Sequence, residues 1–471
     1  MSEILVSGGV VVTLDEERRV IEDGAVAMRG GRILAVGPRA EVERDFPSPD
    51  QRIDARGKAV LPGLVDAHAH AGHGLVKTMG NGDFAAWGEA CRVIYSQASP
   101  PGFWYAEARL AALERLKAGV TTGVSVLGGG DCIMRTDTPA AGEARARAVD
   151  EVGIREVMAV GPRRPPFPHD YVMEDGATRA ISFEDHLETM GLLFEALHGR
   201  GRMRLCTFMP VYRETVHDKA VVAGIRAQGR KVRELGATFN AIFHQDGHRA
   251  GSIAMAEEMF GLLGPDAFLS HCTDLTEADF AALKRSGAHV VHNPTALAAV
   301  SGFCPVVRLL EAGVNVAVGS DGTAPDRSGD LFRHAFEAMR YAQRAERDPS
   351  LIPPGKALEM ITIDAAHAIG MGREIGSLEP GKRADLITVD LRAPHMAPAN
   401  MPVWRIVCFA TGADVRDVVI GGELLMEDRR LPHLDEAEIV AAAEAEAASM
   451  LRRSGLAWLA VEDPGWRRVR R

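Results

Sequence analysis

The second half of this chain repeats one pattern four times: a short apolar run that closes on an ionisable side chain. Residues 238–243 lead to His244, 267–270 to His271, 289–291 to His292 and 314–320 to Asp321. Amphipathic stretches separate these runs. Residues 252–263 are apolar along one face, and Thr276 with Asp279 has capping-box spacing ahead of Phe280-Ala281-Ala282-Leu283. Strands that alternate with helices pair in parallel, since a parallel connection is long enough to hold a helix. Closed into a (β/α)8 barrel, such units carry their chemistry where strands end and βα loops begin. The four ionisable strand ends therefore predict one site at one face of an α/β barrel.

The two ends of the chain read differently. Residues 1–60 alternate short β-branched runs with turn signals such as Gly30-Gly31, and the same texture returns in IGSLEPGKRADLITVD and DVVIGGELLMED. The expected architecture is α/β, a (β/α)8 TIM barrel over 61–373 with a small β-sandwich assembled from 1–60 and 374–433, and a helical tail at 434–471. A length of 471 residues with 46% hydrophobic and 25% charged content is ample for such a core and excludes disordered and fibrous classes.

A formal charge of −10 argues against nucleic acid or an anionic membrane as partner, so a small-molecule substrate is expected. The basic run at 467–471 is read as a solvated terminus. Six cysteines stand without a CxxC pair, which predicts reduced thiols rather than a disulfide scaffold or zinc knuckle. The first residues lack a basic region ahead of an apolar stretch, and no segment has the length of a membrane span, so a cytoplasmic homo-oligomer is expected.

In AVLPGLVDAHAH, His68 and His70 are two residues apart at the end of an extended run, where alternate side chains share a face. Two imidazoles so placed can hold one ion. A catalytic ion needs further donors and an open position, and His244 and Asp321 are the strand-end residues able to supply them. Isolated histidines such as His217, His334 and His433 are read instead as packing or loop residues.

These motifs resemble the amidohydrolase superfamily, in its cytosine deaminase and triazine hydrolase branch. The resemblance runs through PGLVDAHAH, His244, LSHCTDLTEADF, VVHNPTA, VAVGSDG and IGSLEPGKRADLITVD, in family order over most of the chain. It implies that His68, His70, His244 and Asp321 are metal ligands. It also implies that Asp321 takes a proton from water and passes it to the leaving nitrogen, and that His271 stabilises the tetrahedral intermediate. Some relatives hold two ions through a carboxylated lysine on strand four. Residues 204–210, RLCTFMP, contain no lysine, so one ion is expected. Zinc is the first choice, with iron or manganese also compatible with an imidazole and carboxylate site.

Two departures bear on substrate. Deaminating relatives carry a glutamate three residues after the strand-five histidine, where this chain has Gly247 in His244-Gln245-Asp246-Gly247-His248. Asp246 either turns inward in its place or is an ordinary loop residue. After His292, relatives continue Pro-x-Ser-Asn and this chain has Pro294-Thr295-Ala296-Leu297. Both changes favour hydrolysis of an amide, urea or carbamate over deamination of an amino-substituted N-heterocycle, which stays as the alternative. A non-catalytic scaffold of the same fold is a third reading, opposed by the intact ligand set. Candidate substrate contacts are Trp87 in a possible lid over 72–101, Arg163, Arg164 and His169 after strand three, Tyr212 and Arg213 after strand four, Asp246, and His292.

Overall fold

The computed structural model describes residues 2–80, 83–129, 133–212 and 216–461. The basic run at 467–471, Cys132 and Arg213 lie outside these residues. Eight parallel strands follow one another in chain order: Leu64–Asp66, Val120–Val126, Arg155–Val160, Met203–Phe208, Phe243–Gln245, Ala267–Ser270, His289–His292 and Val316–Val318. The sheet curls until its first and last strands approach. Ala67 N donates to Val318 O at 3.4 Å and Asp321 N to His68 O at 2.8 Å, which nearly closes the barrel. Small hairpins follow the second and third strands, pairing Gly128–Gly129 with Ile133–Met134 and His169–Val172 with Thr178–Ile181.

Helices wrap the outside and start where the chain supplies caps. Asp218 accepts from Ala220 N ahead of Lys219–Thr238, and the expected capping box of Thr276 and Asp279 opens Glu277–Ser286. Two boundaries differ from the sequence reading. Thr238 is the last residue of a long helix rather than the start of strand five, because Asn240 (φ 52°) turns the chain before Phe243. Residues 252–263 form only a helical turn at Ser252–Ala254 and a wider one at Met255–Met259.

Both ends of the chain share one eight-stranded sheet. Strand Glu3–Val12 pairs in parallel with Gln51–Asp54 along its first half and with Lys58–Pro62 along its second. Leu386–Asp390 adds antiparallel to Lys58–Pro62 and carries Val415–Ile420 and Glu423–Met426 beyond it. Between Lys58–Pro62 and the first barrel strand there is one residue, Gly63. A Cβ there would lie 2.1 Å from Thr121 Oγ1, so the chain can pass between the two sheets only without a side chain. No helix among the described residues is long and apolar enough to cross a membrane. Of the cysteines described, Cys91, Cys206, Cys272 and Cys304 are buried, Cys408 is half-buried, and all are free thiols.

Candidate active site

At the ends of strands one, five, six and eight, His68, His70, His244, Asp246, His271 and Asp321 gather within a few ångströms. His68 Nε2 lies 3.3 Å from both Asp246 Oδ1 and Asp321 Oδ1. His70 Nε2 is 3.4 Å from Asp246 Oδ2 and 3.2 Å from Asp321 Oδ1. His271 Nε2 is 3.1 Å from Asp246 Oδ1 and 3.9 Å from Asp321 Oδ1. Two three-residue sets have donor atoms close enough to share an ion, His68 with His70 and Asp321, and His68 with Asp246 and His271.

The remaining ring nitrogens assign the tautomers. His70 Nδ1 donates to Gly128 O at 3.1 Å and His244 Nδ1 to Phe268 O at 2.8 Å. His244 Nε2 then accepts from His68 Nδ1 at 3.0 Å, and His68 Nε2 faces the carboxylates. His244 thus lies against His68, and its ring belongs to neither of the two ligand sets.

Charge in the cluster is lopsided toward the carboxylates. Burial opposes ionisation of Asp321, but Arg327 and His271 outweigh it and hold the carboxyl well below its usual range. Asp246 is also held well below its usual range, against its burial, by His68 and by hydrogen bonding to His271. Burial works against charge on His70, yet the two carboxylates push it up to about 10. Burial, then the charge of His68, keeps His244 neutral. Two buried carboxylates that draw protons onto imidazoles, a buried His68 Nε2 with no hydrogen-bond partner among the described residues, and a mixed nitrogen and oxygen donor set all fit a divalent cation.

The backbone here is itself unusual. His271 (φ 67°) and Asp321 (φ 60°) are both left-handed, a region non-glycine residues rarely enter. Cross-strand bonds hold them there, from His271 N to Val291 O at 3.0 Å and from Asp321 N to His68 O at 2.8 Å.

Several supports have no motif in the sequence. Asp66 accepts from Ser320 N at 2.8 Å and Ser320 Oγ at 2.7 Å, tying strand one to the residue before Asp321. Arg115 donates to Asp66 at 3.0 Å and stands 3.8 Å from Glu156. Glu156 accepts from Arg145, which also donates to Glu107, and Glu107 accepts from Gly74 N. All five charged groups are buried. Arg327 lies 3.3 Å from Asp321 Oδ2. The available signals are Asp66 in step with His68 and His70, and the charged Glu156 ahead of the apolar run Val157-Met158-Ala159-Val160.

The substrate candidates scatter. Trp87 packs against His73, ring centroids 5.3 Å apart, on helix Phe84–Gln97, and Tyr95 of that helix is fully buried, so this part of the expected lid packs as helix. Arg163 stacks on Tyr171. His169 Nε2 is 2.7 Å from Arg164 O. Arg164 and Tyr212 line a cleft of about 610 Å³ with Arg249 and Ile225. His292 is buried beside Tyr341, and burial, then the charge of His271, brings it down to about 3. Only Asp246 joins the central cluster.

The sequence profile of the Amidohydrolase family matches residues 223–425, and that of a bacterial imidazolonepropionase-like composite domain matches 24–48. The chain is 34% identical to a 5-methylthioadenosine/S-adenosylhomocysteine deaminase of Syntrophobacter fumaroxidans over 93% of this chain and 96% of that one. It is 27% identical to a 5'-deoxyadenosine deaminase of Methanosarcina mazei, over 96% and 99% of the two chains. Among solved structures, a zinc-bound adenosine deaminase from Xanthomonas campestris superposes with a TM-score of 0.81 at 26% identity, covering 95% and 98%. An atrazine chlorohydrolase from Arthrobacter aurescens, complexed with zinc, gives 0.78 at 21% identity over 94% and 100%, a likeness of fold.

Proposed function

The chain belongs to the amidohydrolase family, and on that premise we propose that it is a metal-dependent hydrolytic deaminase of an adenosine-like amino-heterocycle. It is a hydrolase of carbon–nitrogen bonds other than peptide bonds. The observation that carries the proposal is the convergence of imidazole and carboxylate groups at the barrel mouth, in a chain alike over almost its whole length to enzymes named for deamination. Gly247 leaves its own position without a carboxylate, but Asp246 brings one into the cluster from the neighbouring position.

His68, His70 and Asp321 would hold the ion, with His244 offered by the sequence as a fourth ligand. A bound divalent ion, zinc by first choice, supplies a Lewis acid and a water acidic enough to lose a proton near neutral pH. Asp321, kept ionised by Arg327, is placed to accept that proton and deliver it to the departing amine. His271 Nε2 stands 3.1 Å from Asp246 Oδ1, in the same cluster, where it can donate to the oxygen that gains charge. The cleft beside Arg164, Tyr212 and Arg249 lies beyond the ends of strands three to five and is large enough for the rest of a nucleoside.

Elemental analysis of purified protein is expected to find about one divalent ion per chain. Two at full occupancy would overturn the single-ion assignment, and none after growth with ample metal would favour a scaffold. For substrate, ammonia release from adenosine, 5'-deoxyadenosine, 5-methylthioadenosine and S-adenosylhomocysteine is compared with product release from N-substituted amides, ureas and carbamates. The nucleosides are expected to give the highest kcat/KM. A best substrate among the acyclic compounds would return the function to amide, urea or carbamate hydrolysis.

A further inference from the structure

The chain turns sharply after strand eight and comes back on itself. Asp321 (φ 60°) and Gly322 (φ 77°) are both left-handed. A Cβ on Gly322 would lie 2.4 Å from His73 Nδ1, so a residue without one lets the turn close against the loop that follows strand one. Thr78 N donates to Pro325 O at 2.6 Å across the same two loops. Six residues beyond Asp321, the returning chain presents Arg327.

Arg327 is turned inward. Its side chain is 3% exposed, and Nη2 stands 3.3 Å from Asp321 Oδ2. The same nitrogen donates to Asp321 O at 2.8 Å and to Ala324 O. Among the described residues, Asp321 is the carboxylate paired with this guanidinium. A buried cation is costly unless it is paired, and a neutral donor would serve the two carbonyls as well, so the charge points to the carboxylate.

The two oxygens of Asp321 are thereby divided. Oδ1 lies 3.3 Å from His68 Nε2 and 3.2 Å from His70 Nε2, while Oδ2 faces Arg327. Turning Oδ2 into the cluster would take it away from the guanidinium.

We propose that Arg327 is a positioning residue for the reaction, which holds Oδ2 and the backbone carbonyl of Asp321 so that Oδ1 is the oxygen presented to the ion. The assignment rests on the metal-dependent reading above. It gives the segment after strand eight a task in orienting the carboxylate as well as in supplying it.

The test compares Arg327→Met and Arg327→Lys with wild type in zinc affinity, read by competition with a chromophoric chelator, and in kcat and KM at saturating zinc. Arg327→Met is expected to lose about 10–100-fold in both zinc affinity and kcat, as happens when a partner that orients a ligand is removed, with KM kept within about threefold. Arg327→Lys keeps the charge without the planar fork and should fall between Arg327→Met and wild type. Methylguanidinium added to Arg327→Ala should recover kcat saturably without raising the thermal midpoint, and methylammonium should recover less. Thermal melts of the zinc-free variants check folding. Zinc affinity and kcat of Arg327→Met both within about threefold of wild type would overturn the proposal. A raised KM with unchanged kcat would overturn it in favour of a substrate contact. A loss that follows a lowered thermal midpoint and does not respond to methylguanidinium would overturn it in favour of a loop staple. Wild-type protein that takes up no zinc would remove the metal-dependent reading together with the proposal. Zinc uptake without turnover of any nucleoside would remove only the deaminase reading and leave the affinity comparison to decide the role of Arg327.

Discussion

Asp321→Asn is expected to lower kcat by about 10²–10⁴-fold, the range lost with a positioned general base. The amide keeps the shape of the carboxylate and an oxygen that can still face a cation, but it cannot take a proton from the attacking water. Asp321 sits 3.2–3.3 Å from His70 and His68 and 3.3 Å from Arg327, so the variant should keep its place in the cluster. Metal content is therefore expected to fall much less than turnover. Measuring kcat and bound metal on the same preparation separates the two. A variant within a few-fold of wild-type kcat would exclude Asp321 as the proton carrier, whereas parallel loss of metal and turnover would make it chiefly a ligand.

The second large effect is on stability. Arg145→Met is expected to destabilise the fold by about 3–5 kcal/mol, the cost of removing one partner from a buried ion group. Arg145 donates to Glu156 at 2.7 and 2.8 Å and to Glu107 at 2.7 Å, with side-chain exposures of 1%, 0% and 0%. Methionine fills the volume and leaves two carboxylates with less compensation. Arg285→Met serves as the contrast. Its pairs with Glu257 and Glu258 are at the surface, where such contacts are worth about 0–1 kcal/mol. Denaturant unfolding of both variants against wild type makes the comparison. Equal midpoints for the two would show that the buried group adds no net stability. Because Glu107 holds Gly74 N and Arg115 joins Glu156 to Asp66, loosening the group also loosens the segment that carries His68 and His70.

Much of the site was legible because it follows from period-two alternation. His68 and His70 share a face for that reason, and a polar residue closing an apolar run marks a strand end wherever the strand begins. Strand five starts later than the apolar run suggests, since Thr238 closes the long helix and only the finished helix shows where it belongs. For Asp246 the sequence leaves both an inward-turned and an ordinary loop position open. The strand is Phe243–Gln245, and the residue that follows it brings its carboxylate to within 3.1–3.4 Å of His68, His70 and His271. The substrate contacts were poorly legible for a different reason: Trp87, Arg163 and His292 each pack against an aromatic ring from another element, His73, Tyr171 and Tyr341.

The sequence alone determined the kind of chain this is, a parallel barrel with imidazole and carboxylate groups at its strand ends, because strand periodicity and capping residues are local properties. Tertiary structure decided which atoms face the centre of the cluster. The tautomer of His68 depends on His244 from another strand, the left-handed backbone at His271 and Asp321 depends on bonds to neighbouring strands, and the charge on Asp321 depends on Arg327. Each is set by a contact that exists only once separate strands meet, so no local pattern of residues encodes it.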